Sequence, residues 1–437
     1  MEKLLRNTLF SETKRPLMQF LKQLCLKLPK ESSVYMVGGL VRDILLNATE
    51  GKDIDLMVDL CSAEDIINIL IALKKSNYLR SFQKVGKSFP VFKIKIYQFD
   101  EDIDLALART EVSTGPGHTD FEIDAERISA RQDGERRDFT VNAIFIKFFT
   151  SDKDILDFEL IDYFNGLEDL KNRKIRAVGD PLLRMQEDPL RILRAYRFCN
   201  QKNFTIDRRL FEVIRNNASK LLPSISFDRV QAEVIKTVQA NPRKAIQDYL
   251  ECDILNICFP ELSCFFPQQT PNFFPTNKLK SDKQVFPLLL CHWLELKAFK
   301  ITFEEFKVLE RRLKHFHIPY AKEIKTILSG LIRLGNRYKT NYPDALQEKI
   351  LTSHCGEEIF WLYTQFQRRF QFPPFSDLVN LPEKIDGTII IQWGIKAESG
   401  FEDVVMRVRQ FQIDGISDIA ELRNKILMEL SLSGDCL

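Results

Sequence analysis

The segment from Val34 to Leu46 changes character within a few residues, and it constrains the fold more than any other part of the chain. Val34-Tyr35-Met36-Val37 is a short apolar run typical of a buried strand, and Gly38-Gly39 follows it directly. From Leu40 to Leu46 the apolar residues return at helical spacing. The order strand, glycine turn, helix predicts an α/β unit in which the two glycines lie between the elements.

Similar strand patterns recur up to about residue 150 and then almost stop. We predict strands at 53–58, 89–97, 103–108 and 140–148, with helices at 13–28 and 63–74. Beyond residue 152 we predict helices at 187–199, 208–221, 227–238, 303–316, 321–334 and 401–413. The predicted fold class is therefore α+β, with an N-terminal mixed-sheet head at 1–150, an all-helical neck at 151–260, and a helical body and tail at 261–437.

Length and charge restrict the class of protein. The chain has 437 residues, with 63 Lys and Arg against 61 Asp and Glu. A single hydrophobic core stops growing at roughly 250–300 residues, so more than one domain is expected. The net charge of +2 excludes a histone-like protein that coats nucleic acid. Any nucleic-acid site must therefore be local.

Cysteine spacing and the N-terminus indicate the compartment. The nine Cys include no CxxC pair, and Cys252, Cys258 and Cys264 lie six residues apart, which matches no familiar zinc pattern. The N-terminal 30 residues contain no continuous apolar stretch. We expect reduced thiols, no zinc, no membrane span and a cytoplasmic location.

Two carboxylates, Asp53 and Asp55, flank one residue of a predicted strand. Side chains alternate along a strand, so both acids project from the same face. Paired carboxylates repel each other unless a cation lies between them, and Mg²⁺ is held by one or two carboxylates plus substrate phosphates. Asp104, on another predicted strand, is a candidate third acid of a two-metal site. Ordinary solvated acids are the alternative.

The glycine turn has a chemistry of its own. Gly38 and Gly39 would let backbone N–H groups approach a phosphate closely, and Arg42 follows on the first turn of the helix. A guanidinium there would add a charge-assisted contact to the phosphate. A tight turn with no ligand is the alternative.

Four motifs in this order resemble the class II tRNA nucleotidyltransferases, or CCA-adding enzymes, and the related bacterial poly(A) polymerases. They are Val37-Gly38-Gly39-Leu40-Val41-Arg42-Asp43, the Asp53/Asp55 pair, Arg136-Arg137-Asp138-Phe139-Thr140-Val141-Asn142-Ala143, and Glu187-Asp188-Pro189-Leu190-Arg191-Ile192-Leu193-Arg194-Ala195-Tyr196-Arg197-Phe198. The resemblance extends from about Val34 to Lys236. It implies Mg²⁺-dependent, template-independent addition of CCA to the 3′ end of tRNA, using CTP and ATP and releasing pyrophosphate.

The resemblance also implies site residues in the head. Asp53 and Asp55 would hold Mg²⁺ and act in catalysis, whereas Asp104 is added as a possible third catalytic acid from its position on a predicted strand. Gly38, Gly39 and Arg42 would bind the nucleotide, together with Arg137 and with Asp138 near the ribose. Considered alone, the Arg136-Arg137-Asp138 run could equally be a surface ion-pair cluster.

The fourth motif implies nucleotide selection by the neck. Asp188 and Arg191 fall at i and i+3 of a predicted helix and would share one face. The resemblance implies that this pair reads the Watson–Crick edges of CTP and ATP, with Arg194 and Arg197 helping to bind the nucleotide. The alternative is an intrahelical salt bridge of about 0.3–0.5 kcal/mol, and the two are compatible. Ser226 to Glu233 resembles the next family motif, which supports this helix without touching substrate.

Three further segments bear on the subfamily. Gly86-Lys87-Ser88-Phe89 is less basic than the poly(A) polymerase sequence at this place, which favours the tRNA enzyme. The polar stretch from Gly115-Pro116-Gly117-His118 to Arg131 resembles the loop that switches from C to A addition, which favours full CCA addition. No His precedes an Asp, so no HD phosphohydrolase domain is predicted.

A basic stripe is predicted in the tail. Lys307, Arg311 and Lys314 fall on one helical face and would bind RNA phosphates. An ordinary solvated helix face is the alternative. Poly(A) addition, CC-only or A-only addition, nucleotidyl transfer to a non-RNA acceptor and a non-enzymatic RNA-binding module remain alternative functions.

Overall fold

Seven strands form one mixed sheet in the N-terminal part of the computed structural model. The structure describes residues 2–48, 53–86, 90–113, 121–124, 127–151, 154–267, 269, 274–296, 303–315, 318, 320–335, 343–366, 383–397 and 400–433. The strands are β1 Val34–Met36, β2 Ile54–Val58, β3 Ser81–Val85, β4 Val91–Lys95, β5 Ile103–Leu107, β6 Thr110–Ser113, β7 Phe121–Asp124, β8 Ile144–Thr150, β9 Leu156–Asp162, β10 Lys174–Ile175 and β11 Thr205–Ile206.

Most of the remaining described chain is helical. The helices are α1 Glu2–Leu9, α2 Arg15–Lys27, α3 Gly39–Leu45, α4 Ala63–Lys75, α5 Ala130–Glu135, α6 Gly166–Lys171, α7 Pro181–Glu187, α8 Leu190–Lys202, α9 Arg208–Leu221, α10 Phe227–Ala240, α11 Pro242–Glu251, α12 Ile254–Cys258, α13 Val285–Leu296, α14 Phe303–His315, α15 Ala321–Gly335, α16 Pro343–Leu351, α17 Gly356–Phe366, α18 Gly387–Gln392, α19 Phe401–Ile413 and α20 Ile419–Ser433. The predicted α+β class, a mixed-sheet head followed by helices, is confirmed.

The seven-stranded sheet has the order β3-β4-β5-β2-β1-β8-β9. Only β2 and β5 pair in parallel, and the other neighbours are antiparallel. The interior strand β1 is buried along its whole length, as its apolar sequence requires. Helices α2 and α4 contact each other, and α2 packs on β1, β8 and β9. The sheet edge where β1 ends and β2 begins therefore has a rigid support.

Two strand predictions need correction. The segment predicted as one strand at 140–148 is a 3₁₀ turn, Thr140–Asn142, followed by β8. The hydroxyl of Thr140 donates to Asp169 at 2.7 Å, which fixes the turn against α6. The sheet also continues past residue 150, because β9 pairs along β8 from Thr150↔Leu156 to Ile144↔Asp162. A strand of mixed polar and apolar residues at a sheet edge gives a weak sequence signal.

The helix predicted at 187–199 is interrupted. Helix α7 ends at Glu187, Asp188 has extended backbone with φ −140° and ψ 96°, and α8 begins at Leu190. The cause is Pro189, because a proline ring disfavours helical backbone in the residue before it. Asp188 therefore lies at a bend between two helices.

The chain divides into two compact units, 1–233 and 234–437. In the second unit, α18, α19 and α20 enclose an apolar cluster that includes Ile390, Leu422 and Ile426. The buried Arg409 guanidinium binds both carboxylate oxygens of Glu348 at 2.6 Å, which joins α19 to α16. The functional boundaries predicted at 150 and 260 stay predictions. Within the described residues, no helix combines the length and the apolar character needed to cross a membrane.

Candidate active site

The Asp53/Asp55 pair lies at the start of β2. Both side chains are exposed, and Ile54 and Leu56 between and after them are buried, so the predicted alternation is confirmed. Asp55 is the register partner of Asp104 on the parallel strand β5. The Lys93 ammonium, on β4, lies 3.1 and 3.2 Å from the two carboxylate oxygens of Asp104. The third candidate acid is thus next to the pair but already neutralised by a lysine.

The electrostatics at Asp55 indicate a place for a cation. Desolvation, and then the Asp104 carboxylate, raise the pKa of Asp55 above its ordinary value. Among the described residues, no three His, Cys, Asp or Glu side chains are grouped closely enough to hold a metal ion. Asp53 and Asp55 therefore supply a two-carboxylate donor set, which fits a hard ion that takes its other oxygens from phosphates and water.

Gly38 adopts backbone that other residues avoid, with φ +76°. A Cβ at this position would lie 3.3 Å from Oδ2 of Asp55 and 4.0 Å from Nη1 of Arg137. Gly39 begins α3, and a Cβ there would lie 3.5 Å from Nη2 of Arg42. The two glycines leave open the space between the carboxylate and the arginines.

Arg42 is buried and aimed by three neighbours. Its Nε donates to Asp43 at 2.9 Å and its Nη1 donates to Asn142 at 2.8 Å. Its guanidinium lies 4.9 Å from the centre of the Phe198 ring. The Lys202 ammonium also binds Asp43, at 3.2 Å. Arg42 is therefore fixed by the structure around it.

Asp133 binds both Arg136 and Arg137, the two arginines of the third motif. The residue is fully buried, its Oδ1 accepts from Arg136 at 2.9 and 2.6 Å, and its Oδ2 accepts from Arg137 at 3.1 and 3.0 Å. Burial alone would raise the pKa of Asp133, but Arg137 and Arg136 hold it below its usual value. Sequence reasoning missed Asp133, whose only signal is its place three and four residues before the arginine pair.

Asp138 and Arg194 form a second ion pair, in which the Asp138 side chain is buried and the Arg194 side chain is half-buried. Burial would raise the pKa of Asp138, and the Arg194 guanidinium lowers it. The same carboxylate accepts from the side chain of Asn142 at 3.0 Å and from the backbone N–H of Phe139 at 2.8 Å. The Arg136–Asp138 run is therefore an internal cluster and not a surface one.

Asp188 and Arg191 both lie at the cavity, and each binds another partner instead of forming the intrahelical salt bridge that was the alternative interpretation. The Asp188 carboxylate accepts from Arg229 at 3.1 and 3.2 Å and from the backbone of Leu190 at 3.2 Å. Arg191 binds Glu187 at 2.9 Å. Its guanidinium also donates to the backbone oxygens of residues 184 and 136, at 3.0 and 2.8 Å. The bend at Asp188 separates the two side chains.

The Ser226–Glu233 motif supports α8 through ion pairs. Arg229 binds Asp188, and Glu233 binds Arg197 at 3.1 Å. Arg42, Arg194 and Arg197 surround the Phe198 ring, with guanidinium carbons 4.9, 5.4 and 4.6 Å from its centre. An aromatic face attracts such cations, so Phe198 helps to hold three guanidinium groups together.

The cavity beside Gly38 has a volume of about 580 Å³, and the predicted acids Asp53 and Asp104 are not in its lining. The lining comprises Gly38, Gly39, Arg42, Asp55, Arg136, Arg137, Asp138, Asn142, Asp188, Arg191, Arg194, Arg197, Phe198 and Gln201. Asp55 and the glycines lie at one part of the wall, and α8 supplies another. The abundance of arginine over aspartate suits an anionic, phosphate-bearing ligand. Arg136, Asn142, Phe198 and Gln201 were not predicted, although the first three stand within the quoted motifs.

The structure also locates the predicted basic stripe. Lys307, Arg311 and Lys314 are exposed on α14, and Lys314 binds Glu310 at 3.1 Å. Their RNA-binding role stays a prediction. Residues 87–89 and 115–118, on which the subfamily predictions rest, lie outside the described part of the chain.

The cavity combines the Asp55 carboxylate of the sheet with arginines of the head motifs and of α8, which are the parts expected of a nucleotide-binding site. Comparison with known families agrees. Residues 34–176 match the family model described as the poly A polymerase head domain. Residues 203–266 match the model described as the probable RNA- and SrmB-binding site of polymerase A. The resemblance to the tRNA nucleotidyltransferase and poly(A) polymerase family is confirmed over these segments.

Curated relatives carry more specific names than the family models. The chain is 35% identical over 245 residues to the multifunctional CCA protein of Pasteurella multocida, covering 55% of this chain and 51% of the relative. It is 34% identical over 245 residues to the CCA-adding enzyme of Buchnera aphidicola subsp. Baizongia pistaciae, covering 54% and 51%. The chain thus spans about half the length of the curated relatives it matches.

Solved structures share the fold along nearly the whole chain. The Thermotoga maritima CCA-adding enzyme complexed with tRNA aligns with TM-score 0.63 and 23% identity, over 98% of each chain. The Bacillus stearothermophilus CCA-adding enzyme in complex with CTP aligns with TM-score 0.64 and 20% identity, over 98% of this chain and 100% of that one. At this identity the likeness concerns the fold.

Proposed function

We propose that this protein adds CCA to the 3′ end of tRNA without a nucleic-acid template, using CTP and ATP and releasing pyrophosphate. The observation that carries the proposal is one cavity in which the exposed Asp55 carboxylate faces a wall of arginines from the first, third and fourth motifs. A carboxylate for a metal and arginines for phosphates are the two parts that phosphoryl transfer needs.

In this proposal Asp53 and Asp55 would hold Mg²⁺, which when bound supplies Lewis-acid activation of the terminal 3′ hydroxyl and neutralises the phosphates. The residues of the chain do the rest. Arg42 and Arg137 border the open space beside Gly38 and would bind the triphosphate. The 3′ hydroxyl releases its proton to water as its oxygen attacks the α-phosphorus, the bond from that phosphorus to the α,β-bridging oxygen breaks, and pyrophosphate leaves toward these guanidinium groups.

Lys93 gives Asp104 a specific part in the proposal. The Lys93 ammonium compensates the negative charge of Asp104. Asp104 can therefore lie beside Asp55 without adding an unpaired third carboxylate charge. Asp104 could approach the metal when Lys93 moves toward a phosphate. We retain it as the third acid on this basis.

Base selection would belong to Asp188 and Arg191. A carboxylate offers about four acceptor positions and a guanidinium five donors, so each residue can contact its protein partners and a base edge at once. Arg229 and Glu187 hold the two side chains apart at the bend. The pair would present an acceptor and a donor at fixed separation, which suits C and A. Arg194 and Arg197 would hold the nucleotide between this pair and the metal.

The proposed RNA partner is the 3′ end of tRNA, with the α14 stripe as one of the surfaces that contact phosphates. The likeness in fold to an enzyme solved with tRNA supports this, as does the match of 203–266 to a probable RNA-binding model. We place the protein in the cytoplasm on the basis of its cysteine content.

One experiment tests the proposed function. The protein is incubated with tRNAs that end before CCA, after C and after CC, CTP and ATP are supplied separately and together, and the 3′ ends are sequenced. We expect two C residues, then one A, then termination. Asp53→Ala and Asp55→Ala should abolish incorporation, whereas Asp157→Ala, on the edge strand β9, should not. Long A tails on any RNA would show a poly(A) polymerase, and incorporation without RNA would show a different acceptor.

A further inference from the structure

Asn142 contacts more of the proposed nucleotide site than any of the predicted residues, although no role was assigned to it. Its side-chain oxygen accepts from Nη1 of Arg42 at 2.8 Å, and its side-chain nitrogen donates to Oδ1 of Asp138 at 3.0 Å. Its backbone oxygen accepts from Nη1 of Arg137 at 3.1 Å. Asn142 therefore joins the glycine-turn motif to the Arg136–Ala143 motif. Through Asp138 and Arg194 it is also connected to helix α8.

The chemistry of the two partners fixes the orientation of the amide. A guanidinium only donates hydrogen bonds and an ionised carboxylate only accepts them. An amide is the small side chain that can accept from one and donate to the other at the same time. An Asp at this place would keep the acceptor for Arg42 but would oppose the Asp138 carboxylate.

The backbone around Asn142 is held as firmly as its side chain. Asn142 is buried and ends the 3₁₀ turn that begins at Thr140. The turn packs directly on the backbone of Gly166 in α6. The approach is so close that a Cβ added to Gly166 would lie 2.2 Å from the Thr140 carbonyl oxygen. The backbone N–H of Thr140 donates to Arg176 at 3.0 Å. A rigid turn therefore presents the amide between the two charged groups.

The network continues on both sides of the amide. Arg42 is bound to Asp43, which also binds Lys202 near the end of α8. Asp138 is bound to Arg194 on the same helix. The charged groups facing Asn142 are thus Arg42, Arg137 and Asp138, with Asp43 and Arg194 behind them. Helix α8 is tied to the head at two places, and Asn142 connects the two ties.

We propose that Asn142 is the positioning residue that sets the distance between the phosphate-binding Arg42 and the nucleotide-binding pair Asp138–Arg194. This inference rests on the proposed function and deepens it. Asn142 itself need not touch substrate. Its substitution should weaken nucleotide binding because the two ends of the nucleotide would no longer be met by groups at a fixed separation.

The test compares Asn142→Leu and Asn142→Asp with the wild-type chain by calorimetric titration of CTP in Mg²⁺ buffer without tRNA, at several pH values from 5.5 to 8. Asn142→Leu should bind CTP about tenfold more weakly at every pH, since hydrogen bonds to charged groups are lost. Asn142→Asp should also bind CTP more weakly than wild type at every pH, because its carboxylate opposes that of Asp138 where the amide donates a hydrogen bond.

The matched control is Asn217→Asp on α9, whose side chain donates to a backbone carbonyl at 2.8 Å away from the cavity. It should bind CTP as the wild type does at each pH. Thermal unfolding of each variant separates a loss of fold from a loss of positioning. CTP affinity of both Asn142 variants within twofold of wild type would overturn the inference.

The wild-type protein tests the proposed function in the same series. If it binds CTP but adds no nucleotide to tRNA, the proposed reaction is wrong, while the ratio of variant to wild-type affinity still decides the role of Asn142. If it binds neither CTP nor ATP, both are wrong.

Discussion

The carboxylate of Asp138 receives two hydrogen bonds from the guanidinium of Arg194, at 2.9 Å from Nε and 2.6 Å from Nη2. The two residues lie 56 positions apart in the chain. The contact attaches α8 to the third motif, and it places both residues on the wall of one cavity. It is one of several contacts that join α8 to the head, together with Lys202–Asp43 and Arg191–Arg136.

The Asp138–Arg194 pair should make a measurable contribution to folding. Removal of one partner of a buried pair costs about 3–5 kcal/mol, and the partial exposure of Arg194 reduces this figure. We expect Arg194→Ala and Asp138→Asn each to lower the free energy of unfolding in urea. The double variant should be destabilised by less than the sum of the two, with a coupling above about 1 kcal/mol.

The exposed pair Arg208–Glu212 on α9 provides the matched control for this cycle. Its coupling should be about 0.3–0.5 kcal/mol, as for other exposed pairs at this helical spacing. Equal couplings for the two cycles would show that burial does not strengthen the Asp138–Arg194 contact.

Asp133 should make stability depend on acidity. Arg137 and Arg136 overcome the effect of burial and lower the pKa of Asp133 in the folded state. In the unfolded chain the pKa of an Asp side chain is about 3.9. The contribution of Asp133 to stability is therefore complete at pH values above the pKa of the unfolded state. It is lost as the pH falls through the lower pKa of the folded state. We expect Asp133→Asn to be less stable than wild type at pH 7 by about 3 kcal/mol.

Thermal unfolding at a series of pH values from 7 to 3 checks this prediction. The deficit of Asp133→Asn relative to wild type should shrink toward the acid end. Asp100→Asn, an exposed substitution, should follow the wild-type curve throughout. A deficit for Asp133→Asn that is constant with pH would contradict the assigned ionisation.

Gly38 should not tolerate a side chain. Its positive φ disfavours alanine, and strain in such backbone regions costs about 1–3 kcal/mol. The added Cβ would also press on the Asp55 carboxylate at 3.3 Å. We therefore expect Gly38→Ala to reduce nucleotide incorporation by more than its loss of stability explains.

Gly179 separates the two effects. It has φ +69°, but a Cβ there meets nothing within 4 Å among the described residues. Gly179→Ala should lower the melting temperature and leave incorporation by the folded protein intact. Similar residual incorporation for both variants, measured at a temperature where each is folded, would argue against a specific role for Gly38.

Phe198 should matter for nucleotide affinity through the arginines around it. Each cation–π contact contributes about 0.5–2 kcal/mol, and Phe198 makes three. We expect Phe198→Leu to raise the KM for CTP about tenfold. Phe148→Leu, on β8 and equally deep in the core, should cost stability alone. Matching KM values for the two variants would contradict the prediction.

Local patterns in the sequence predicted the elements that carry the site. The apolar run before Gly38 predicted β1, the alternation around Ile54 predicted the exposed acids of β2, and four motifs in order predicted the family. These features depend on neighbouring residues, so the sequence contains them. Strand β9 was missed because three of its seven residues are acidic, and the break at Asp188 was missed because helical periodicity outweighed Pro189.

What the sequence by itself determined is the kind of side chain available: carboxylates on a strand, glycines at a turn and arginines on a helix. Only the tertiary structure decided which of them meet. It paired Asp188 with Arg229, Arg191 with Glu187, and Asp138 with Arg194. It also placed Asn142 between Arg42 and Asp138. The physical reason is that a buried charge must find a partner wherever the packed chain offers one, and periodicity does not encode contacts between distant segments.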